Sequence, residues 1–147
     1  MNASPHVLLA KRQEQERDRL ATELAGLLLQ HKSMQEDIAA TLEEQAGIEG
    51  QLQHSFSAGM TGSQLVAMEC ARQELVARRE SLILACEQLR EQERDLRQQM
   101  LACESKGKAH TRAQEKLDRQ VERRSERVAQ QRLDDLMAQR LGREAGQ

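Results

Sequence analysis

Met68, Leu75, Leu82, Leu89 and Leu96 recur every seven residues, and Leu117 returns to the same beat after Cys103 and His110. An apolar side chain at that interval, sustained over this span, is the seam of a long helix that packs against another helix. Little else in the chain can build an interior. There is no Trp and no Tyr, and Phe56 is the only aromatic residue. The hydrophobic fraction of 38% leans on Ala, while 31% of residues are charged. Such a composition with helical periodicity belongs to coiled coils and long helices. It buries a narrow stripe and no thick core, which argues against an enclosed active site and against an enzyme.

A second seam precedes the first. Leu20, Leu24, Leu27, His31, Met34, Ile38, Thr41, Gln45, Ile48 and Leu52 alternate steps of four and three, with three polar members. Leu28, Leu42 and Phe56 each follow a seam position by one residue and should widen the stripe. Ser4-Pro5 reads as a helix start, with Ser able to cap free amide donors and Pro tolerated at the first helical position. The one credible break is Ser57-Ala58-Gly59-Met60-Thr61-Gly62, where Gly59 can end a helix in the left-handed conformation. Thr61 and Gln64 then have capping-box spacing. The spacing predicts helix 1 over about 5–56, a loop at 57–62 and helix 2 over about 63–141, one coiled-coil domain covering 1–147.

A tight loop then opposes Leu52 to Ala67–Met68, Ile38 to Leu82, Leu24 to Leu96, and Leu20 to Met100, so seam meets seam. The fold class expected is all-α, a long antiparallel two-helix coiled-coil hairpin with helix 2 overhanging. Helix 1 runs out opposite residue 114, which leaves about 25–30 residues unpaired, roughly 40 Å at 1.5 Å per residue. The alternative is a parallel dimer of one long helix. The central break and the two matching seams argue against it, and the free chain is expected to be a monomer.

Charge is uneven along the chain. Residues 1–61 carry 5 basic and 9 acidic side chains, residues 62–105 carry 6 and 8, and residues 106–147 carry 11 and 7. The basic end is therefore the overhang. At about 100° per residue, Lys108, Arg112, Lys116, Arg119, Arg123 and Arg127 share one arc, with Leu117, Val121 and Val128 opposite. An unpaired amphipathic helix of this kind is expected to dock into a partner protein. Nucleic acid is not expected, because stacking aromatics and a strong positive charge are both missing. Glu74→Arg78, Glu93→Arg97 and Glu115→Arg119 read as helix-supporting surface pairs.

Catalytic and ligand motifs are lacking. Gly59-x-x-Gly62 has no following Lys-Ser/Thr and is no phosphate loop. His6, His31, His54 and His110 are scattered, and none has a His or Cys partner at helical spacing, so no metal and no cofactor are expected. Cys70, Cys86 and Cys103 are odd in number and widely spaced, which fits a reducing compartment rather than a disulfide framework. No stretch is apolar enough for a membrane span, and Val7-Leu8-Leu9-Ala10 is too short for a signal peptide. A cytoplasmic location is expected.

The order of an N-terminal helix, a break containing Ser57-Ala58-Gly59-Met60-Thr61, a longer Gln/Glu/Arg-rich helix and then Arg132-Leu133-Asp134-Asp135-Leu136-Met137-Ala138-Gln139-Arg140 resembles the FliJ family of flagellar export proteins. The resemblance, which extends to relatives in type III secretion injectisomes, spans essentially the whole chain. It implies a non-enzymatic stalk of a flagellar type III protein export apparatus, similar to the stalk subunit of rotary ATPases. Such a stalk inserts into the export ATPase hexamer, promotes its assembly and activity, links it to the membrane protein of the export gate, and escorts export chaperones. The implied place is cytoplasmic and peripheral to the inner membrane, without insertion into it. On this reading Arg112, Arg119, Arg123, Arg127, Asp134, Asp135 and Arg140 face the ATPase, together with the N-terminal turn. Leu75, Val76, Leu82 and Ile83, read as exposed, face the gate. The alternatives are an injectisome stalk homologue and a generic coiled-coil scaffold with no coupling role.

Overall fold

The computed structural model describes residues 3–146. It is an all-α helical hairpin, two long helices packed against each other, α1 over Pro5–Ala58 and α2 over Gly62–Ala145. The antiparallel hairpin expected from the two seams is therefore the observed fold. Both helices extend a little past their expected ends, to Ala58 and Ala145; Gly142 stands within the last turns of α2, where a glycine costs about 1 kcal/mol relative to Ala.

The break lies where Gly59 stands. Its φ is +82°, the left-handed region, and the Met60 amide donates to the Ser55 carbonyl at 3.3 Å. That six-to-one bond is the Schellman closure of a helix C-terminus. The Gln64 side chain then accepts from the Thr61 amide at 3.3 Å, which is the return half of a capping box. Gly59→Ala should cost about 1–2 kcal/mol, the penalty of the left-handed conformation for an L side chain. Gly47→Ala should instead stabilise by about 1 kcal/mol, since a Cβ there meets nothing within 4 Å. Urea denaturation of the two variants checks these opposite signs.

The helices pass through two compact units, one comprising Arg17–Leu101 and the other the chain up to Glu16 with the chain from Ala102 onward. In the first, every member of the α1 seam from Leu20 to Leu52 is buried or half-buried. Leu20, Leu89, Leu96 and Cys86 form the apolar core, joined by two polar residues, Thr41 and Glu93. Leu28, Leu42 and Phe56 do not widen the stripe. They are 42%, 44% and 77% exposed, because a two-helix contact covers a single seam on each helix.

α2 carries two beats rather than one. Besides the leucine beat, Leu65, Arg72, Arg79, Cys86, Glu93 and Met100 also recur at intervals of seven and are all buried or half-buried. Half of the second beat, Arg72, Arg79 and Glu93, is charged, and Arg79 and Glu93 meet polar partners on α1. Arg79 donates to the Gln45 side-chain oxygen at 3.0 Å. His31 Nδ1 lies 2.9 Å from Glu93 Oε1, and Gln35 Nε2 approaches the other ring nitrogen at 3.3 Å. Nδ1–H donating to the carboxylate and Nε2 accepting from the amide satisfy all three groups with one imidazole tautomer. Thr41 answers its own buried hydroxyl by donating to the Asp37 carbonyl at 2.7 Å.

Glu93 therefore does not form the surface pair with Arg97 expected from spacing; it turns inward. The opposition of Ile38 to Leu82 would set His31 against Leu89, yet its partner is one turn further along. Each Cα–Cβ bond leans toward the N-terminus of its own helix, so long side chains on antiparallel helices meet across a diagonal. Glu74 and Arg78 form no ion pair among the described residues. Arg72 instead holds Glu69 through two bonds at 2.6 and 3.0 Å, and its guanidinium keeps that carboxyl below its ordinary range.

In the other unit the α1 seam continues as half-buried Ser4, His6, Ala10 and Gln13, against half-buried Cys103, Gly107, His110 and Gln114 of α2. None of the described residues of this unit is fully buried. Contact is close at Gly107, where an added Cβ would stand 3.7 Å from Gln13 Cβ. Ser4 starts the helix by backbone, its carbonyl accepting from the Leu8 amide at 3.1 Å. Its hydroxyl, expected to cap the helix, is spent elsewhere, donating to Gln114 Oε1.

Candidate partner-binding site

Beyond Gln114 every described residue of α2 is exposed. The α1 helix begins at Pro5, and Gln114, bonded to Ser4, is the last half-buried residue of α2, so among the described residues α2 runs on to Ala145 without cover from α1. This is the overhang expected from the seam register.

All seven residues expected to face an ATPase are exposed; Arg119, Arg123, Arg127, Asp134, Asp135 and Arg140 lie on this segment, and Arg112 lies just before it, within the paired stretch. Among the described residues of the basic arc, only Arg119 reaches a carboxylate, Glu115 at 3.8 Å, with both side chains more than half exposed. Such a pair is worth a few tenths of a kcal/mol and is readily exchanged for another. Asp134 accepts from the Gln130 amide at 3.1 Å. The arc thus offers guanidinium groups whose charge is not committed inside the molecule.

The apolar side chains are arranged in a way the basic arc alone does not disclose. Leu117, Val121 and Val128 are 43%, 66% and 48% exposed and lie on the face away from the arginines. Leu133, Leu136, Met137 and Leu141 are 56–63% exposed. At about 100° per residue Leu133, Met137 and Leu141 sit roughly 120–180° round from the first three, on the side of the basic arc, with Leu136 between the two sets. The apolar stripe therefore changes face between Val128 and Leu133. Spacing of three and four from Leu133 onward contained this signal in the sequence. At the start of α1, Val7, Leu8 and Leu9 add exposed apolar surface, at 47%, 55% and 38%.

The four residues expected to face an export gate are divided. Leu75, Val76 and Leu82 are half-buried, and Leu75 and Leu82 belong to the leucine beat, which is turned toward α1. Only Ile83 is exposed, at 42%. The reading of all four as exposed is corrected accordingly. At the turn, Leu52, Phe56 and Leu65 line an open groove of about 530 Å³ with Gln53 and Glu69.

The histidines are not all scattered. The hairpin brings His6 and His110 together, with Nδ1 atoms 3.4 Å apart and ring centroids 5.7 Å apart. Sequence spacing along one helix could not reveal this, although the two positions fall opposite one another in the expected register. No group of three or more His, Cys, Asp or Glu side chains converges as a metal cage among the described residues. The three cysteines are free thiols, with Cys70 exposed, Cys86 buried and Cys103 half-buried. Among the described residues no helix is long and apolar enough to cross a membrane.

Comparison with protein-family models, curated proteins and solved structures found no match to this chain.

Proposed function

We propose that this protein is a non-enzymatic stalk that inserts its unpartnered helix end into the ring of a type III export ATPase, promotes assembly and activity of that ring, and links it to the export gate. The observation that carries this reading is the change of face of the apolar stripe on α2 beyond Gln114. A helix with one apolar face is covered by one neighbour. A helix with apolar patches on opposite faces, the second continuing the line of the arginines, is covered only by a partner that surrounds it. A ring of similar subunits is such a partner. Exposed ion pairs that break and re-form at little cost suit contacts that must be exchanged as subunits change state. The order of elements and the Arg132–Arg140 segment, similar to the FliJ family, give the surrounding partner its class. The flagellar apparatus is the setting proposed, at the cytoplasmic side of the inner membrane, with export chaperones as further partners.

The test is stimulation of a purified export ATPase by the full chain and by two paired variants, Val121→Ser/Val128→Ser and Met137→Ser/Leu141→Ser. A surrounding partner requires that both pairs lose stimulation, each by at least tenfold in half-saturating concentration. Loss in one pair alone would indicate a one-sided partner. No stimulation by the unaltered chain, with a dimeric mass in light scattering, would leave a passive coiled-coil scaffold.

A further inference from the structure

Two heptad beats run side by side along the outer flank of α1. Leu28, Leu42 and Phe56 belong to one, with Gln35 and Glu49 between them. Ala25, Ala39 and Ala46 belong to the other, with Lys32 and Gln53. Together they repeat by threes and fours, the pattern of a helix-packing seam. It is not the seam that meets α2, from which it lies about 100° round the helix. Every member is exposed, and Phe56, the one aromatic side chain, is 77% exposed. α2 borders the same flank without covering it. Ile83 and Arg90 share one groove with Gln35, and Leu65 and Glu69 share another with Gln53 and Phe56.

The stripe is complementary to itself. Lys32 is its only basic side chain and Glu49 its only acidic one. A second copy, turned end for end about an axis between Ala39 and Leu42, sets Lys32 of each copy against Glu49 of the other. The same register sets Leu42 on Ala39 and Phe56 on Ala25, large against small, with Leu28 on Gln53 and Ala46 on Gln35. A slip of one heptad either way would put Phe56 on Lys32 or on Asp18. The alanines let the two backbones approach closely along the stripe, which spans about 45 Å at 1.5 Å per residue. Glu36 and Glu43 stand exposed at the outer rim of such a contact, where salt screens like charges.

We propose that two copies of this chain pair through this stripe, α1 against α1, antiparallel about a two-fold axis. Such an isologous contact uses the same patch of both copies and closes on itself. It buries Leu28, Leu42 and Phe56 of each copy and leaves both inward seams within their own hairpins, unlike a parallel dimer of one long helix. On this reading the free chain is a dimer, and not the monomer expected from the hairpin alone. The pairing uses no residue of the overhang, so it stands independently of the export reading.

The test is sedimentation equilibrium of the full chain over a hundredfold range of concentration, where twice the chain mass is expected at the upper end. Leu42→Glu sets two like charges beside the axis and should weaken the dimer at least tenfold. Circular dichroism should show unchanged helicity in that variant, because Leu42 is 44% exposed. Lys32→Glu should also weaken the dimer, and Lys32→Glu/Glu49→Lys should restore it, a rescue that a loss of folding would not allow. Val121→Ser/Val128→Ser, on the overhang, should leave the mass unchanged. A single-chain mass at every concentration would overturn the proposal, as would a dimer that survives Leu42→Glu. A dimer lost in the overhang variant would move the contact to the overhang and overturn it too. Failure of the double charge reversal to restore pairing would overturn the antiparallel register.

Discussion

His31→Leu, with Glu93 left in place, is expected to destabilise the hairpin by about 3 kcal/mol, while His31→Leu/Glu93→Leu together should match or exceed the unaltered chain. The side chains of His31 and Glu93 are only 14% and 8% exposed, so the carboxylate has little water to fall back on. Removing its one cross-helix partner strands a buried charge, which typically costs about 3–5 kcal/mol. Partial exposure of the pair sets the lower end of that range. Removing both exchanges a polar layer for apolar packing between Leu89 and Leu96, which is often neutral or stabilising. Urea unfolding of the two singles and the double measures the cycle. If His31→Leu cost no more than a surface substitution, the pair would be a solvated contact and not part of the core.

The same cycle addresses what the pair is for. A leucine beat packs equally well when shifted by one heptad, because every seventh residue is alike. A single buried polar layer is satisfied in one register only. The double Leu variant is therefore expected to be stable but to populate shifted pairings. Spin labels at exposed positions near Gln35 and Arg90 would show this as a broadened distance distribution.

Arg119→Glu/Arg123→Glu/Arg127→Glu should leave helicity and unfolding midpoint nearly unchanged and abolish stimulation of the export ATPase. The structural cost is small because the one ion pair lost, with Glu115, is exposed. The functional cost is large because three positive charges on one arc become three negative ones. Complementary charge raises association rates on the order of 10- to 1,000-fold, and reversal forfeits that gain and adds repulsion. Stopped-flow association at two salt concentrations would isolate the effect. A variant that still stimulated the ATPase fully would remove the arginine arc from the mechanism, leaving the apolar stripes as the whole contact.

Much of this molecule is written in local periodicity. The alternating steps from Leu20 to Leu52 and the leucine beat from Met68 to Leu96 identify which side chains face inward, and every one of them is covered in the fold. Gly59 marks the break because it is the residue that can adopt positive φ there without a steric penalty. The end of pairing at Gln114 follows from chain arithmetic once the break is placed. The second beat of α2 was equally regular, but its Arg and Glu members resemble a solvated face, so Glu93 read as a partner of Arg97. Its four-and-three spacing from Leu89 and Leu96 was the available sign that it points inward.

What the sequence by itself determined is the two helices, their seams, the turn and the unpartnered end, because hydrophobic burial is short-ranged and repeats with the helix. Only the tertiary structure decided which polar group meets which. His31 reaches Glu93, Ser4 reaches Gln114, and His6 comes to rest against His110. Those meetings depend on the relative rise of two helices and on side chains leaning toward opposite ends, quantities that no single helix contains.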